Sequence, residues 1–457
     1  MKIKTCLGLG LSVMFLGMSL VFSGCRVVET EEGLMFGNKL VVTNAPSEPL
    51  LDDKVEDKTP SLNQEDDKNP LVKNEEQPED ETIGEISSKN EDEMSNEKTS
   101  ADGEITGSEV PSVEENNIEL LINERTIRGR ETKGIYIRGS LFARKSNIEK
   151  LFELIDETGI NTVVVDIKDD EGKLLFPMSN EKITKFYNSS THTDSIDYFM
   201  QGCKERNLYT IGRVTSFCDT VAANSFNSLS MAFEDGTLYS DHSNKKWIDP
   251  YKKDVLLYIL SIAEETAKKG FDEVNFDYVR FPVDEGYSNI VFGDGTVPMY
   301  DKQTMITLFA KQAVDSIHKL GVLVSFDVFG IVISSESDAR NLGQNYVDLT
   351  RELDFICPMI YPSHYANGYA KLVVPDAKPY DLVEYELKKS AAKLEDAEIE
   401  AVKVRPWLQA FTADWVEGHI EYDSVAINKQ IKASAEAGLG WLLWNSSGNY
   451  SKDIWNQ

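Results

Sequence analysis

The chain has 457 residues, 41% of them hydrophobic, and a formal net charge of −30 at pH 7 from 77 acidic against 47 basic side chains. That balance excludes nucleic acid as a partner, because phosphates would be repelled rather than neutralised, and no basic stripe occurs anywhere along the chain. The length allows two or three average domains, or one long α/β barrel behind a leader.

The first residues have the order of an export signal. Lys2 and Lys4 form a positive start, and Leu7 to Phe22 is an uncharged apolar run, shorter than the roughly 20 residues of a spanning helix. The run closes on Phe22-Ser23-Gly24-Cys25. Small residues before a cysteine resemble a bacterial lipobox, with Phe22 in place of the usual Leu. Residues 1–25 are therefore expected to be a lipoprotein signal peptide, with Cys25 the lipidated residue and a membrane partner through that anchor. An ordinary secretory signal with an incidental Cys25 is the alternative.

Most of the excess charge follows at once. From Arg26 to Leu120 there are 27 acidic and 8 basic residues, and Phe36 is the one aromatic between 26 and 125. Such a composition buries too little apolar surface to offset backbone entropy, so 26–125 is expected to be a disordered acidic linker, extended by self-repulsion between membrane and domain. Beyond it only Cys203, Cys218 and Cys357 remain, with no framework spacing, and the five histidines form no HExxH or HxH pair. No metal site and no cofactor is implied; a weak Ca²⁺ site at Asp169, Asp170 and Glu171 is the one exception to weigh.

From residue 126 the pattern becomes that of repeated βα units. Short β-branched runs at 133–139, 162–168, 208–215, 273–280, 322–329, 355–361, 404–411 and 440–446 read as strands. Amphipathic stretches at 146–158, 194–206, 251–269, 302–319, 341–352, 380–395 and 425–437 read as helices, several closed by glycine, as at Gly159, Gly270, Gly321 and Gly438. Eight such units over 126–457 predict a (β/α)8 TIM barrel. A doubly wound sheet would carry a Gly-rich fingerprint after its first strand, and none is present.

In such barrels chemistry gathers at the carboxyl ends of the strands, and those ends are polar here. Asp166, Asp277 and Asp327 each interrupt an apolar strand, at a cost of several kcal/mol unless the carboxylate is paired or lies in a cleft. Asp169, Arg280, Tyr361, His364, Gln409, Trp444 and Asn445 sit at the same ends. Lys168 is a candidate to neutralise Asp166, and Arg280 to pair with Asp169 or Asp170. Tyr361, His364, Trp407, Trp444 and Tyr450 offer faces for a sugar ring, against the ordinary reading as barrel-wall packing. Gln409 and Asn445 offer amides to hydroxyls, with backbone hydrogen bonding the competing role.

The blocks KGIYIRG, TVVVDIKDDEG, VNFDYVRFP, SFDVFG, PMIYPSHY, RPWLQAF and GWLLWNSSGNY, spread over about 133–450, resemble a bacterial family of glycoside hydrolase domains. Its barrels are distantly similar to the α-amylase superfamily. The resemblance implies Asp277 as nucleophile at the end of the fourth strand and Asp327 as general acid/base at the end of the fifth. The amylase acid is a Glu, so Glu336 in the following loop is kept as a substitute, and Asn275 stands where amylases place an Arg. A chitinase-like Asp-x-Asp-x-Glu is excluded, because Asn275-x-Asp277-x-Val279 lacks the Glu. The implied function is a retaining, cell-surface glycoside hydrolase acting on an extracellular or cell-wall polysaccharide. The alternatives are a glycan-binding surface lipoprotein without catalysis, and a structural envelope protein with a dead ion-pair network.

Overall fold

The computed structural model describes residues 29–30, 33–36, 39–41, 113–185, 193–284 and 286–455. Eight parallel strands close into a barrel: β1 Lys133–Ile137, β2 Thr162–Lys168, β3 Tyr209–Thr215, β4 Glu273–Asp277, β5 Leu323–Phe329, β6 Phe355–Ile360, β7 Trp407–Gln409 and β8 Trp441–Trp444. Closure is made where β8 meets β1, with Trp441 opposite Lys133 and Leu443 opposite Ile135. Helices lie between successive strands, and this is the (β/α)8 fold that the strand spacing predicted.

The side-chain period of two explains why each strand is apolar on one face and polar on the other. On β4, Val274 and Phe276 join the large cluster between strands and helices, while Glu273, Asn275 and Asp277 bond across the barrel interior. On β5, Val324, Phe326 and Val328 belong to the same outer cluster, and Ser325 and Asp327 alternate with them. The interior holds a second, smaller apolar cluster that includes Tyr136, Tyr209, Phe355 and Trp407. At its amino-terminal end Arg405 makes a buried bidentate pair with Glu273, which also accepts from Tyr209 Oη at 2.8 Å and from Ser325 Oγ.

Three segments depart from the sequence reading. The stretch expected as a helix at 341–352 is two helices, Glu336–Leu342 and Tyr346–Glu352. They are split by Gly343 at φ 79°, where a Cβ would stand 2.8 Å from the Lys302 carbonyl oxygen, and Asn345 caps the second by accepting from Asp348 N. Secondly, the expected linker does not run unstructured to 125, because a helix spans Val113–Arg130. It lacks an amphipathic stripe and is held through its charges: Arg125 pairs with Asp272 at 3.2 Å and donates to the Gly321 carbonyl, and Arg128 pairs with Asp272 at 3.4 Å. Thirdly, Glu29–Thr30, Gly33–Phe36 and Lys39–Val41 form a small antiparallel sheet, also within the expected linker. The expected signal peptide, Cys25 and the rest of the linker lie outside the described residues.

Candidate active site

The carboxyl ends of the strands surround a cleft of about 610 Å³. Of the residues singled out in the sequence, Asp166, Asp169, Asp277, Arg280, Asp327, Tyr361, His364, Trp407 and Trp444 line it. At its floor a single guanidinium joins three strands. Arg213 of β3 donates from Nη1 to Asp166 Oδ1 at 2.5 Å, and from Nε and Nη2 to Asp277 Oδ2 at 3.1 and 2.5 Å. Arg213 is 3% exposed, Asp166 6% and Asp277 7%, so the triad is nearly removed from water. Burial pulls the Arg213 guanidinium down, but Asp166 and Asp277 outweigh it and hold the proton more tightly than usual. Burial pushes Asp166 up to about 6 despite the opposing pull of Arg213, and Tyr136 donates its hydroxyl to the same carboxylate.

Asp327 is the other half of the constellation. Its Oδ1 accepts from Asn275 Nδ2 at 2.8 Å and from Trp407 Nε1 at 2.7 Å. Its Oδ2 takes no hydrogen bond from the described residues. Burial first, and then the negative charge of Asp277, holds this carboxyl well above the ordinary carboxylate range, against Arg213 and the two hydrogen bonds. At the mouth, a carboxyl that holds its proton more tightly than usual thus stands beside Asp277, which accepts from a guanidinium. Asp277 is set by a strained turn: Tyr278 has φ 49°, in the left-handed region, and its backbone N donates to Asp277 Oδ1 at 2.5 Å.

Aromatic rings form one flank. Tyr136 and Trp444 approach to 4.2 Å between centroids, Trp407 meets Trp444 edge-on at 5.7 Å, and Arg213 lies over the Trp444 ring at 5.2 Å. Tyr361 and the half-buried His364 meet at 5.2 Å, with Phe411 beside both. Burial lowers His364 to about 4, so it is a neutral imidazole over most of the pH range.

The structure corrects several sequence-based assignments. Gln409 does not reach the cleft: Oε1 accepts from Ser363 N at 3.0 Å, and Nε2 donates to Asp376 and to the Phe411 carbonyl. Asn445 is likewise consumed, donating to the Ala410 and Asn449 carbonyls and accepting from Ser447. Tyr450 spends its hydroxyl on the backbone of Tyr136 and Leu443. Glu336, the substitute acid, is exposed in a helical first turn and pairs with Lys393, away from the cleft. Lys168 does not neutralise Asp166, since it forms a fully buried pair with Asp219 at 2.8 Å. Arg280 does not pair with Asp169 or Asp170, because Asp170 takes Lys245 and Asp169 Oδ1 accepts the backbone N–H groups of Glu171 and Lys173. Those bonds occupy Asp169 Oδ1 and Asp170 Oδ2. Among the described residues no group of three or more His, Cys, Asp or Glu is placed to hold a metal.

Arg213 and Tyr136 are the functional residues that sequence reading missed. The signal was present, since Arg213 interrupts the apolar run of β3 as each aspartate interrupts its own strand. Arg213 also supplies from a neighbouring strand the positive charge that Asn275 does not. The remaining wall comes from the long connection after β3, folded by bridges such as Cys218 to Trp247 and Ser230 to Ile248, which brings Ser243 and Lys245 to the cleft.

A closed parallel barrel with a carboxylate cluster at the carboxyl ends of its strands places the chain among the (β/α)8 proteins. Residues 134–450 match the family described as "Putative glycosyl hydrolase domain", and the chain belongs to that family. Among solved structures, the glycoside hydrolase domain of PgaB (BpsB) from Bordetella bronchiseptica is similar at 12% identity, covering 71% of this chain and 98% of that one, with a TM-score of 0.50. A hypothetical protein from Ruminiclostridium thermocellum ATCC 27405 aligns at 29% identity over 42% of this chain and 97% of its own, with a TM-score of 0.37. A β-galactosidase from the haloarchaeon Halorubrum lacusprofundi aligns at 11% identity over 70% and 56%, with a TM-score of 0.49. No curated protein matches the chain.

Proposed function

We propose that the barrel is a retaining glycoside hydrolase, lipid-anchored at Cys25 on the outer face of the cell membrane, that cleaves an extracellular or cell-wall polysaccharide. The observation that carries the reading is the pairing of Asp277, bound by Arg213, with Asp327, whose proton is retained by burial and by the charge of Asp277. Asp327 donates that proton to the glycosidic oxygen as the bond to the anomeric carbon breaks. A carboxylate oxygen of Asp277 attacks the same carbon to give a glycosyl ester. Asp327, now ionised, takes a proton from water, the water oxygen replaces Asp277 at the anomeric carbon, and both carboxyl groups return to their starting states. Arg213 holds Asp277 at its attacking position and spreads the charge that returns to it when the ester breaks. Trp444 and Tyr361 give the sugar its apolar faces, and Asp166 accepts from a hydroxyl.

The test is the release of new reducing ends from a polysaccharide panel by the chain from Ser112 onward, beside Asp277→Asn and Asp327→Asn. Turnover in wild type that is lost in both variants, with circular dichroism unchanged, is the expected result. Glycan binding without turnover, surviving both substitutions, would replace the hydrolase with a binding protein. Proton NMR of the first-formed anomer decides the stereochemistry, and an inverted product would remove the nucleophile role from Asp277.

A further inference from the structure

Arg280 follows Asp277 by three residues and faces the same cleft. It is 7% exposed, yet it has no ion pair among the described residues. Its Nη1 donates to the Phe281 carbonyl at 3.1 Å, and its other N–H groups find no acceptor among the described residues. The guanidinium instead lies among ring faces, 4.8 Å from the centroid of Trp247, 4.8 Å from Phe329 and 5.5 Å from Tyr278. The nearby acids are committed elsewhere: Asp170 to Lys245, Asp166 and Asp277 to Arg213, Asp284 to His242. The backbone on either side is pinned, because Gln344 Nε2 donates to the Val279 carbonyl at 3.4 Å and Phe281 N to the Leu342 carbonyl at 2.9 Å.

A permanently charged, mostly buried guanidinium with N–H donors that lack partners and no ion pair among the described residues is costly to hold. Ring faces offset part of that cost. They cannot accept in-plane hydrogen bonds, so the fork remains open toward the cleft. Sugar hydroxyls would fill single N–H positions without supplying charge. A carboxylate supplies both, since its two coplanar oxygens match the guanidinium fork.

We propose that Arg280 is a carboxylate-binding residue and that the glycan accepted by this cleft carries a uronic acid at a subsite adjoining Asp277. The proposal rests on reading the mouth as a glycan site, but it does not require that the glycan be cleaved. Arg280 acts as a specificity residue: an acidic sugar relieves the unpaired charge, and a neutral one leaves it buried behind the ligand.

The test uses the full chain and simple sugars, so that linkage does not matter. D-glucuronate and D-galacturonate are titrated against wild type, Arg280→Lys and Arg280→Gln by calorimetry and thermal shift. Glucose, galactose, glucose 6-phosphate and glucose 6-sulfate serve as comparisons. A uronate that binds wild type more tightly than its neutral counterpart, and loses at least about tenfold in affinity in Arg280→Gln with a smaller loss in Arg280→Lys, is the expected result. Should the Gln variant fail to fold, the Lys variant decides, since it keeps the charge and loses only the fork. Equal binding of uronate and neutral sugar, no uronate binding, or a preference for phosphate or sulfate would each overturn the assignment. Absence of turnover on every polysaccharide, with Arg280-dependent uronate binding intact, would end the hydrolase reading and leave this one standing.

Discussion

At the scale of single residues, the mouth is a balance of buried charges in which Arg213 is the common partner. Removing it would leave Asp166 and Asp277 facing each other nearly dry. Arg213→Met is therefore expected to cost about 3–5 kcal/mol of stability, as breaking buried pairs commonly does, read as a shift in urea midpoint, and to abolish turnover. Asp166 adds a pH dependence whose sign follows from its raised value. With a folded pKa of about 6 above an unfolded value near 3.9, the native state holds more protons in that window. Stability from this group is present at low pH and lost as pH rises through 6, by on the order of 3 kcal/mol. Asp166→Asn should flatten that slope in urea titrations between pH 4 and 7, and an unchanged slope would show that Asp166 is ionised throughout. In the proposed mechanism Asp327 sets the alkaline limb of activity, because kcat/KM would fall as its proton is lost. The Trp407 Nε1–H bond stabilises its ionised form, so Trp407→Phe should move that limb to higher pH. Movement to lower pH would contradict the proton-donor assignment.

At the scale of elements, β4 shows how one strand serves both ends of the barrel. Glu273 anchors the amino-terminal layer with Arg405, Asn275 positions Asp327 from the middle, and Asp277 reaches the cleft. Glu273→Gln leaves Arg405 buried without a counter-ion, for an expected loss of about 3–5 kcal/mol, while KM in the folded fraction stays unchanged because neither residue lines the cleft. A joint replacement of both partners by apolar residues should recover most of that stability. The helix Val113–Arg130 belongs with the barrel rather than with the linker. A chain beginning at residue 126 loses the Arg125 bonds to Asp272 and Gly321 and should melt several degrees below one beginning at 112, with Arg125→Ala accounting for about 1 kcal/mol of the difference. Equal melting temperatures would show that the helix contributes nothing.

At the scale of the whole molecule, the proposed lipid anchor is open to a direct test. Cys25→Ala should release the protein from the membrane fraction and abolish labelling by a fatty-acid analogue. Retention with unchanged labelling would remove Cys25 as the lipidated residue, and a wild type that is released and unlabelled would leave the ordinary secretory reading. The expected sugar-binding residues that line the cleft (Asp166, Asp169, Arg280, Tyr361, His364, Trp407 and Trp444) reach it from β2, β4, β6, β7 and β8 or the loops after them. No single strand could supply both the carboxylates and the rings.

Much of this was legible in the sequence alone. Eight strand runs, separated by seven helical stretches of which several end in glycine, repeat one unit, and that repetition determines the barrel even where single boundaries slip. Asp166, Asp277 and Asp327 stood out because a charge inside an apolar strand costs too much to be incidental. The tertiary structure alone decided the partners. Whether Gln409 or Asn445 met a ligand or a backbone carbonyl depended on loops up to 46 residues away, as with Ser363, and the hydrogen-bonding capacity of an amide says nothing about who uses it. Lys168 found Asp219 instead of Asp166, and Arg213 gathered two aspartates from neighbouring strands, because strand pairing and tilt, set by closure of the whole sheet, determine which charges meet. Local pattern specifies the elements; the long-range register of the closed barrel specifies the chemistry.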